Sequence, residues 1–406
     1  MQQPSGAHFT AQWLEIYACC EVALCSTIAA VVKGCRARRA GKRLVDIVNR
    51  KVRCFMSERK IRVGLIGAGA NTRAFHIPGF AKQDDVEIVA VANRTRESSQ
   101  RVAQEFAIPR IHDHWQSLLE DASIDAVCIG TWPYMHAPMT IAALEVGKHV
   151  LCEARMAMNH SEARAMLEVS RRHPALTAQI VPAPHTLAFD RTIIEMIAAG
   201  YIGELISIDA RIAAARAYPD GSTLQHWRQN REFSGDNIMS MGIWYEAMMR
   251  WVGPAKSVMA VGQSVVRHRQ DASGRRVPIE IPDHIDVIGA MAQGGQMHLN
   301  VSTVLGHAPD LADVHIFGTD GTIRLRQPVG GALALSAGKR GKGELELLDV
   351  DPAKRGGWRV EEEFINSIRG MERVTHTDFF TGVKYMEWTT AVSQSLHKCQ
   401  AALLPL

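Results

Sequence analysis

Short apolar runs alternate with amphipathic segments along the chain from about Ile61 onward. Apolar runs of about four to eight residues between polar or glycine residues are typical of buried strands, whereas a spacing of three to four is typical of helices. The predicted strands are Ile61–Ile66, Val86–Ala92, Asp125–Ile129 and His149–Cys152, and the predicted helices are Ser98–Phe106, Met139–Val146 and Ser161–Arg172. This alternation predicts a parallel sheet with right-handed crossovers over residues 61–180.

A different pattern begins near residue 181, where strand-like runs follow one another with few helices between them. The strand-like runs are Glu204–Ala214, Ala255–Val266, His284–Ala292, Gln296–Thr303 and Asp313–Arg324, and the helix-like ones are Arg191–Ala199, Glu361–Arg369 and Gly382–Gln400. Successive strands of this kind are typical of antiparallel sheets. The chain is therefore predicted to be α/β, with a second α/β domain over residues 181–400 that contains a large open, mostly antiparallel sheet.

Composition places this body among ordinary globular proteins, with 47% hydrophobic and 22% charged residues in 406. The net charge of +4 is unevenly distributed, because residues 1–55 hold nine of the 46 Lys and Arg and only three of the 42 Asp and Glu. The remainder then has a net charge of −2, so it lacks the excess of positive charge that nucleic acid binding requires. Scattered cysteines without disulfide or metal-ligand spacing predict a reducing, cytoplasmic location.

Residues 1–55 are expected to be an extension that is disordered or not native. The apolar stretch Ala11–Gly34 is interrupted by Glu15 and Glu21, which argues against a membrane span, and it lacks the basic start of a signal peptide. Met56 to Lys60 directly precede the first strand, where a compact protein of this type would start. A short amphipathic anchor or partner-binding helix remains the alternative for the extension.

A glycine pair, Gly67 and Gly69, ends the first strand and opens a helix. The first glycine permits a tight turn, and the second allows the backbone to approach a pyrophosphate at the helix N-terminus. Thr72 occupies the third glycine position, so the fingerprint is imperfect. Its position between a buried strand and a helix nevertheless predicts a Rossmann domain that binds NAD or NADP.

The second strand ends at Asn93 and Arg94. An acidic residue there would bond the ribose 2′-hydroxyl of NAD and repel the 2′-phosphate of NADP. Asn93 removes that repulsion, and Arg94 offers a planar cation suited to phosphate. NADP is therefore preferred over NAD as the predicted cofactor, with a solvated surface role as the alternative for Arg94.

Together with later motifs, these residues resemble the glucose–fructose oxidoreductase/inositol dehydrogenase (Gfo/Idh/MocA) family. The motifs are the Gly-Ala-Gly loop with His76-Ile-Pro78, Thr131-Trp-Pro-Tyr-Met-His136, Ala142–Glu153 and Ile316–Gly321. The resemblance implies that the nicotinamide lies between the two domains. Because most proteins of this family oxidise or reduce a sugar, polyol or related hydroxyl–carbonyl pair, it also implies a reaction of this kind. It also implies a homodimer or homotetramer through the open sheet, and cofactor contacts from Ala70, Asn71, Thr131, Trp132, His136 and Glu153.

Three residues that usually handle protons in this family are absent. The family's Lys-Pro pair after the strand ending in Glu153 is replaced by Ala154 and Arg155. In the helix motif Asp-x-Gly-x-His, Ser240 occupies the position of the acid and Trp244 that of the histidine. Three such changes together predict altered or absent chemistry.

Hydride exchange with a carbinol requires a group that moves the hydroxyl proton. The candidates are Tyr245, which follows the lost histidine position, Arg155, which would supply positive charge near an oxyanion, and His185 after the next strand. A packing role for Tyr245 and a salt bridge for Arg155 are the alternatives, since adjacent helical residues point about 100° apart.

The segment from Gln225 to Asn237 is rich in polar, aromatic and glycine residues, which is typical of loops that contact substrates. We expect substrate contacts from His226, Trp227, Arg228, Asp236 and Trp244. A helix N-cap is the alternative for Asp236, and space filling is the alternative for Trp244.

These observations predict an NADP-dependent oxidoreductase, with NAD also possible as cofactor, acting on a sugar-like or other hydroxylated small molecule with a non-standard acid/base set. Two alternatives stay open: a non-catalytic NAD(P)-binding sensor or regulator, and a cofactor-assisted lyase or hydrolase. No metal or nucleophilic catalysis is expected, because no zinc spacing and no nucleophile motif occurs in the sequence. No nucleic acid partner is expected, and no membrane partner is expected for the body of the chain.

Overall fold

The computed structural model describes residues 59–406, so the expectations for residues 1–55 lie outside the described residues. The first sheet has six parallel strands in the order β3-β2-β1-β4-β5-β6. Its strands are β1 Ile61–Ile66, β2 Val86–Ala92, β3 Arg110–Ile111, β4 Ala126–Ile129, β5 His149–Cys152 and β6 Ala178–Ile180. Most of their side chains are buried, as expected for a parallel sheet covered on both faces.

Helices follow these strands and cover the sheet. They are α1 Ile77–Ala81, which continues a π-helical turn over Thr72–His76, α2 Arg96–Phe106, α3 Trp115–Glu120, α4 His136–Glu145 and α5 His160–Arg172. Thr95 and Asn159 cap α2 and α5 because their side chains accept hydrogen bonds from the amides three residues later. These caps explain why both helices begin one or two residues before their predicted starts.

The second sheet has nine strands in the order β16-β15-β14-β13-β7-β12-β11-β8-β17. They are β7 Leu205–Ala213, β8 Ala255–Gln263, β11 His284–Met291, β12 Gln296–Ser302, β13 Asp310–Gly318, β14 Gly321–Pro328, β15 Ala334–Lys339, β16 Glu346–Leu347 and β17 Ala402–Leu403, with a separate hairpin of β9 His268–Gln270 and β10 Arg276–Pro278. Only β7 and β12 pair in parallel within this sheet. The predicted fold class, a Rossmann-like domain and a large, mostly antiparallel sheet, is confirmed.

One predicted strand proved to be two. The run Asp313–Arg324 contains a turn, because β13 ends at Gly318 and β14 begins at Gly321 in antiparallel register with it. Gly318 lies close to the backbone of Ile202, where a Cβ would be 2.2 Å from the carbonyl oxygen. A glycine is therefore needed at position 318, where β13 ends beside the backbone of Ile202.

Later helices join the two sheets into one compact unit that spans residues 60–406. They are α6 Leu187–Ala198, α7 Arg231–Ser234, α8 Met241–Val252, α9 Val360–Ile368 and α10 Phe379–Lys398. Helix α9 returns to the first sheet, where Phe364 packs edge-on against Phe80 of α1 with ring centroids 6.4 Å apart. Helix α10 packs against both α5 and β8. No helix in residues 59–406 is both long and apolar enough to cross a membrane.

Candidate active site

The glycine loop after β1 lies at the carboxyl edge of the parallel sheet. Gly67 has a φ of +82°, and a Cβ there would lie 2.6 Å from Cγ2 of Thr131, so only glycine fits. Gly69 is different, because the nearest described atom to a Cβ at that position is the Gly130 oxygen at an ordinary 3.7 Å. The fold itself therefore leaves space beside Gly69, next to the exposed Ala70 and Asn71 that begin the helical turn.

Thr72 occupies the third glycine position without disturbing this loop. Its buried hydroxyl donates a hydrogen bond to the Gly67 carbonyl oxygen at 3.2 Å. A Cβ at Gly130 would lie 2.1 Å from the Thr72 hydroxyl, so Gly130 supplies the space that a third glycine otherwise provides. Sequence reasoning missed Gly130, although its position directly after the buried strand β4 was a signal for it.

Asn93 and Arg94 follow β2 and have different surroundings. The Asn93 side-chain oxygen accepts a hydrogen bond from the Ala68 amide at 2.7 Å, and its amide group donates to Ser98 at 3.0 Å. Asn93 therefore stabilises the glycine loop itself. Arg94 is exposed, its guanidinium lies 5.9 Å from the centre of the Trp132 ring, and no ion pair engages it within residues 59–406. The next arginine, Arg96, forms an ion pair with Asp113.

Aromatic rings connect this edge of the first sheet with the loop from Gln225 to Asn237. Trp132 stacks on Trp227 with ring centroids 5.7 Å apart and planes 14° apart, and the Arg228 guanidinium lies 4.2 Å from the Trp227 ring centre. Phe233 also contacts Trp132, with centroids 4.9 Å apart. The loop before α8 thus lies beside Thr131 and Trp132, as expected if both border one cleft.

Glu153, at the end of β5, forms part of a buried ionic triad. His76 Nε2 lies 3.0 Å from Glu153, and His76 Nδ1 lies 2.5 Å from Glu361 of α9. Burial alone would lower the pKa of His76, but the hydrogen bonds with the two carboxylates outweigh it and raise this pKa to about 9. Burial opposes ionisation of Glu153 as well, yet His76 lowers its pKa. His76 is therefore charged at neutral pH, and the triad holds Glu153 in place.

His136 fixes the backbone around the non-standard position 155. Its Nδ1 lies 2.8 Å from the Arg155 carbonyl oxygen and its Nε2 lies 3.0 Å from the Thr131 carbonyl oxygen. Burial lowers the pKa of His136. The fully buried imidazole therefore links the segments that follow β4 and β5.

Arg155 is buried, with 4% of its surface exposed, although it is a cation. Burial, followed by repulsion from Arg228, lowers its pKa to about 10, so it stays protonated at neutral pH. A Cβ at Gly242 would lie 3.7 Å from Arg155 Cδ, which places this side chain against the first turn of α8. The salt bridge considered as the alternative role for Arg155 is absent among residues 59–406.

His185 lies at the same end of α8 as Arg155. Its ring stacks on the buried Trp244, with centroids 5.0 Å apart and planes 10° apart. Solvent reaches the ring, yet the surrounding protein lowers the pKa of His185 by desolvation. The imidazole is therefore neutral near pH 7 and free to accept a proton. The imidazole therefore packs flat against the indole ring of Trp244.

Tyr245 lies away from the other candidates. It is 1% exposed, its ring stacks on Trp388 of α10 at 4.0 Å, and its hydroxyl accepts a hydrogen bond from the Ala255 amide at 2.9 Å. Burial raises the pKa of its hydroxyl well above the usual value. This placement favours the packing alternative, because successive helical residues such as Trp244 and Tyr245 face different sides.

The loop residues His226 and Asp236 both form hydrogen bonds through their side chains. His226 is exposed and caps the short turn Trp227–Gln229 with its own side chain. Asp236 is half-buried and accepts a hydrogen bond from Thr390 at 2.7 Å. The N-cap alternative for Asp236 is wrong, because α8 begins at Met241 with Ser240 at its N-cap position.

Comparison with known proteins gives two family matches. Residues 61–179 match the model described as oxidoreductase family, NAD-binding Rossmann fold (GFO_IDH_MocA), and residues 191–324 match the GFO/IDH/MocA C-terminal domain. Together these matches cover more than half of the chain.

Several curated relatives match with moderate identity. An uncharacterized oxidoreductase of Rhizobium meliloti is 27% identical over 66% of this chain and 75% of its own length. A 1,5-anhydro-D-fructose reductase of Ensifer adhaerens is 32% identical over 44% of this chain, and a D-glucoside 3-dehydrogenase of Escherichia coli is 29% identical over 46%, each match covering 52% of the relative. Among solved structures, levoglucosan dehydrogenase in complex with NADH and L-sorbose has a TM-score of 0.73 at 20% identity, covering 85% of this chain and 99% of that chain.

Proposed function

Because this chain belongs to the Gfo/Idh/MocA family of NAD-binding oxidoreductases, we propose that it uses NADP to oxidise or reduce a hydroxyl–carbonyl pair on a sugar-like small molecule. The observation that supports this most is the arrangement of one carboxyl edge of the parallel sheet. The open space at Gly69, the unpaired Arg94 and the neutral His185 follow β1, β2 and β6 of that same sheet. Ligands bind at this edge in open α/β sheets.

The residues at this edge fit a dinucleotide. The loop from Gly67 to Asn71 offers backbone amides and an approach that no side chain blocks, which suits a pyrophosphate. Arg94 has no carboxylate partner within the described residues, so its guanidinium is available to a 2′-phosphate. When bound, the nicotinamide supplies the hydride acceptor or donor. The names of the curated relatives, an anhydrofructose reductase and a glucoside dehydrogenase, favour a sugar-like substrate.

We assign the proton-handling role to His185. The imidazole is neutral near pH 7 and accessible to solvent, and its stacking on Trp244 fixes the plane in which it accepts a proton. Arg155 stays charged and supplies positive charge to the substrate beside the start of α8. Tyr245 is left out of this set because its hydroxyl is buried and already hydrogen-bonded to Ala255.

The test uses the full chain with NADP and NAD and a panel of sugars, polyols and aldehydes. We expect turnover with NADP, and we expect His185→Gln to reduce kcat by about 100-fold or more and to remove the acidic limb of its pH profile. His397→Gln is the matched control and should leave kcat unchanged, since His397 is also exposed but lies in the last turn of α10 and is not a candidate site residue. Tight cofactor binding without turnover of any substrate would favour the sensor alternative instead.

A further inference from the structure

Arg155 is a buried cation that forms no ion pair with any described residue. It is 96% buried, its Nε lies out of contact with solvent without a hydrogen-bond acceptor, and no carboxylate in residues 59–406 forms an ion pair with it. An uncompensated buried charge costs several kcal/mol, and replacing such groups with apolar residues is often stabilising. The fold alone therefore gives no reason for an arginine at this position.

Arg228 adds a second positive charge to the same place. The Asp236 amide donates a hydrogen bond to the Met158 carbonyl oxygen at 2.8 Å, which ties the loop of Arg228 to the segment that follows Arg155. Arg228 is exposed, its repulsion lowers the pKa of Arg155, and it has no ion-pair partner within the described residues. Its guanidinium is held over the Trp227 ring at 4.2 Å. By contrast Arg231, three residues later in the same segment, lies 4.0 Å from Glu280.

Glu153 does not neutralise this pair. Glu153 attracts both arginines, but it is hydrogen-bonded to His76 and to the Ala154 amide. With His76 charged, the triad of His76 and its two glutamates has a net charge of −1, so the triad and both arginines together have a net charge of +1. One monoanion would balance this cluster.

The cofactor is not the source of that anion. A pyrophosphate at Gly67–Gly69 would lie beyond the end of β1 and a 2′-phosphate beyond the end of β2, whereas Arg155 follows β5. At a strand spacing of about 4.8 Å, β5 is two spacings, or about 10 Å, from β1 and three spacings, or about 14 Å, from β2. The anion must then belong to the other ligand of the cleft.

We propose that the substrate carries a carboxylate, and that this carboxylate binds between Arg155 and Arg228. The proposal rests on the oxidoreductase function above and narrows its substrate class to sugar acids or similar hydroxy acids. A planar guanidinium presents paired N–H groups that match a carboxylate, and hydrogen bonds between charged groups are about twice as strong as neutral ones. His185 lies beside the same turn of α8, so an acid held here presents a nearby hydroxyl to that imidazole.

The test is equilibrium binding to the full chain saturated with NADP, measured by calorimetry. The probes are D-glucuronate and D-gluconate, compared with D-glucose and D-glucose 6-phosphate. We expect at least one acid to bind about tenfold or more tightly than D-glucose and more tightly than the phosphate, and we expect Arg228→Gln to abolish this preference. Arg231→Gln is the matched control and should retain it, because Arg231 faces Glu280.

Arg155→Met separates a binding role from a structural one. We expect this variant to lose the preference for acids while its midpoint of thermal unfolding, without ligand, stays unchanged or rises, because an unpaired buried charge is removed. A marked fall in that midpoint would show that Arg155 is needed for folding and would overturn the proposal. So would equal or absent binding of the acids, tighter binding of the phosphate, or an acid preference that survives Arg228→Gln.

These outcomes differ from those that test the proposed function. Binding of an acid that depends on Arg228, without any turnover, would support the carboxylate site and count against the oxidoreductase function. Turnover of neutral sugars without a preference for acids would support the oxidoreductase function and count against the carboxylate site.

Discussion

Tyr245→Phe distinguishes a packing role from a catalytic one at the position next to Trp244. Phenylalanine keeps the ring that stacks on Trp388 and removes only the hydroxyl that accepts the Ala255 amide hydrogen bond. That amide would then be buried without an acceptor, which costs about 1–3 kcal/mol. We therefore expect the free energy of unfolding to fall by this amount, while kcat and KM of the folded protein stay unchanged.

Urea denaturation followed by tryptophan fluorescence measures the first effect. With an m value of about 3 kcal/mol/M, the midpoint should shift by roughly 0.3–1 M. Tyr218→Phe is the matched control, because Tyr218 is 65% exposed, and a change there should stay within about 0.5 kcal/mol.

The opposite result would refute this reasoning. If Tyr245→Phe left the urea midpoint unchanged and lowered kcat by about 100-fold, the hydroxyl would have to reach the substrate. The contact with the Ala255 amide would then not describe the working enzyme.

Two further predictions concern the cofactor site and the ionic triad. Arg94→Ala should weaken NADP binding about tenfold to 100-fold in fluorescence titration and leave NAD binding unchanged. Arg96→Ala is the control and should change neither affinity, because Arg96 pairs with Asp113. Equal losses of NADP and NAD binding in Arg94→Ala would contradict the assignment. Because the folded-state pKa of His76 is raised from 6.5 to about 9, its stabilisation of up to about 3 kcal/mol is fully present below pH 6.5 and is lost as the pH rises through about 9. Unfolding measured across that range should show this loss in the wild-type chain and a smaller one in Glu361→Gln, and a flat wild-type profile would count against it.

The positions of the glycine loop and of Asn93–Arg94 at the sheet edge were predictable because they depend on local spacing. The loop at Gly67 and Gly69 and the pair Asn93–Arg94 follow directly after apolar strands, and parallel strands bring their carboxyl ends to one edge. The predicted family and the predicted oxidoreductase class are confirmed by matches over both parts of the chain. Shorter elements such as β3 escaped prediction, since two residues carry no periodicity.

Contacts between distant segments were not predictable from the sequence. His76 and Glu361 are separated by 285 positions, and α9, which contains Glu361, follows the whole second sheet before it returns to the first. The orientation of Tyr245 depended on whether α8 presents position 244 or 245 to the cleft. The sequence pattern does not distinguish these two orientations of the helix, because the residues on each side of positions 244 and 245 are apolar.

Arg155 and Trp244, the residues predicted to replace the family's usual set, have specific contacts in the fold. His136 holds the Arg155 carbonyl oxygen, and Trp244 stacks on His185 where the family usually has its histidine. Replacing a buried charge by an apolar residue is often stabilising, and the Nε of the buried Arg155 guanidinium has no hydrogen-bond acceptor in the described fold. Stabilising replacements of this kind are common, and their usual cost is lost function. The free energy that Arg155 costs the folded protein is therefore best explained if an anionic substrate restores it on binding.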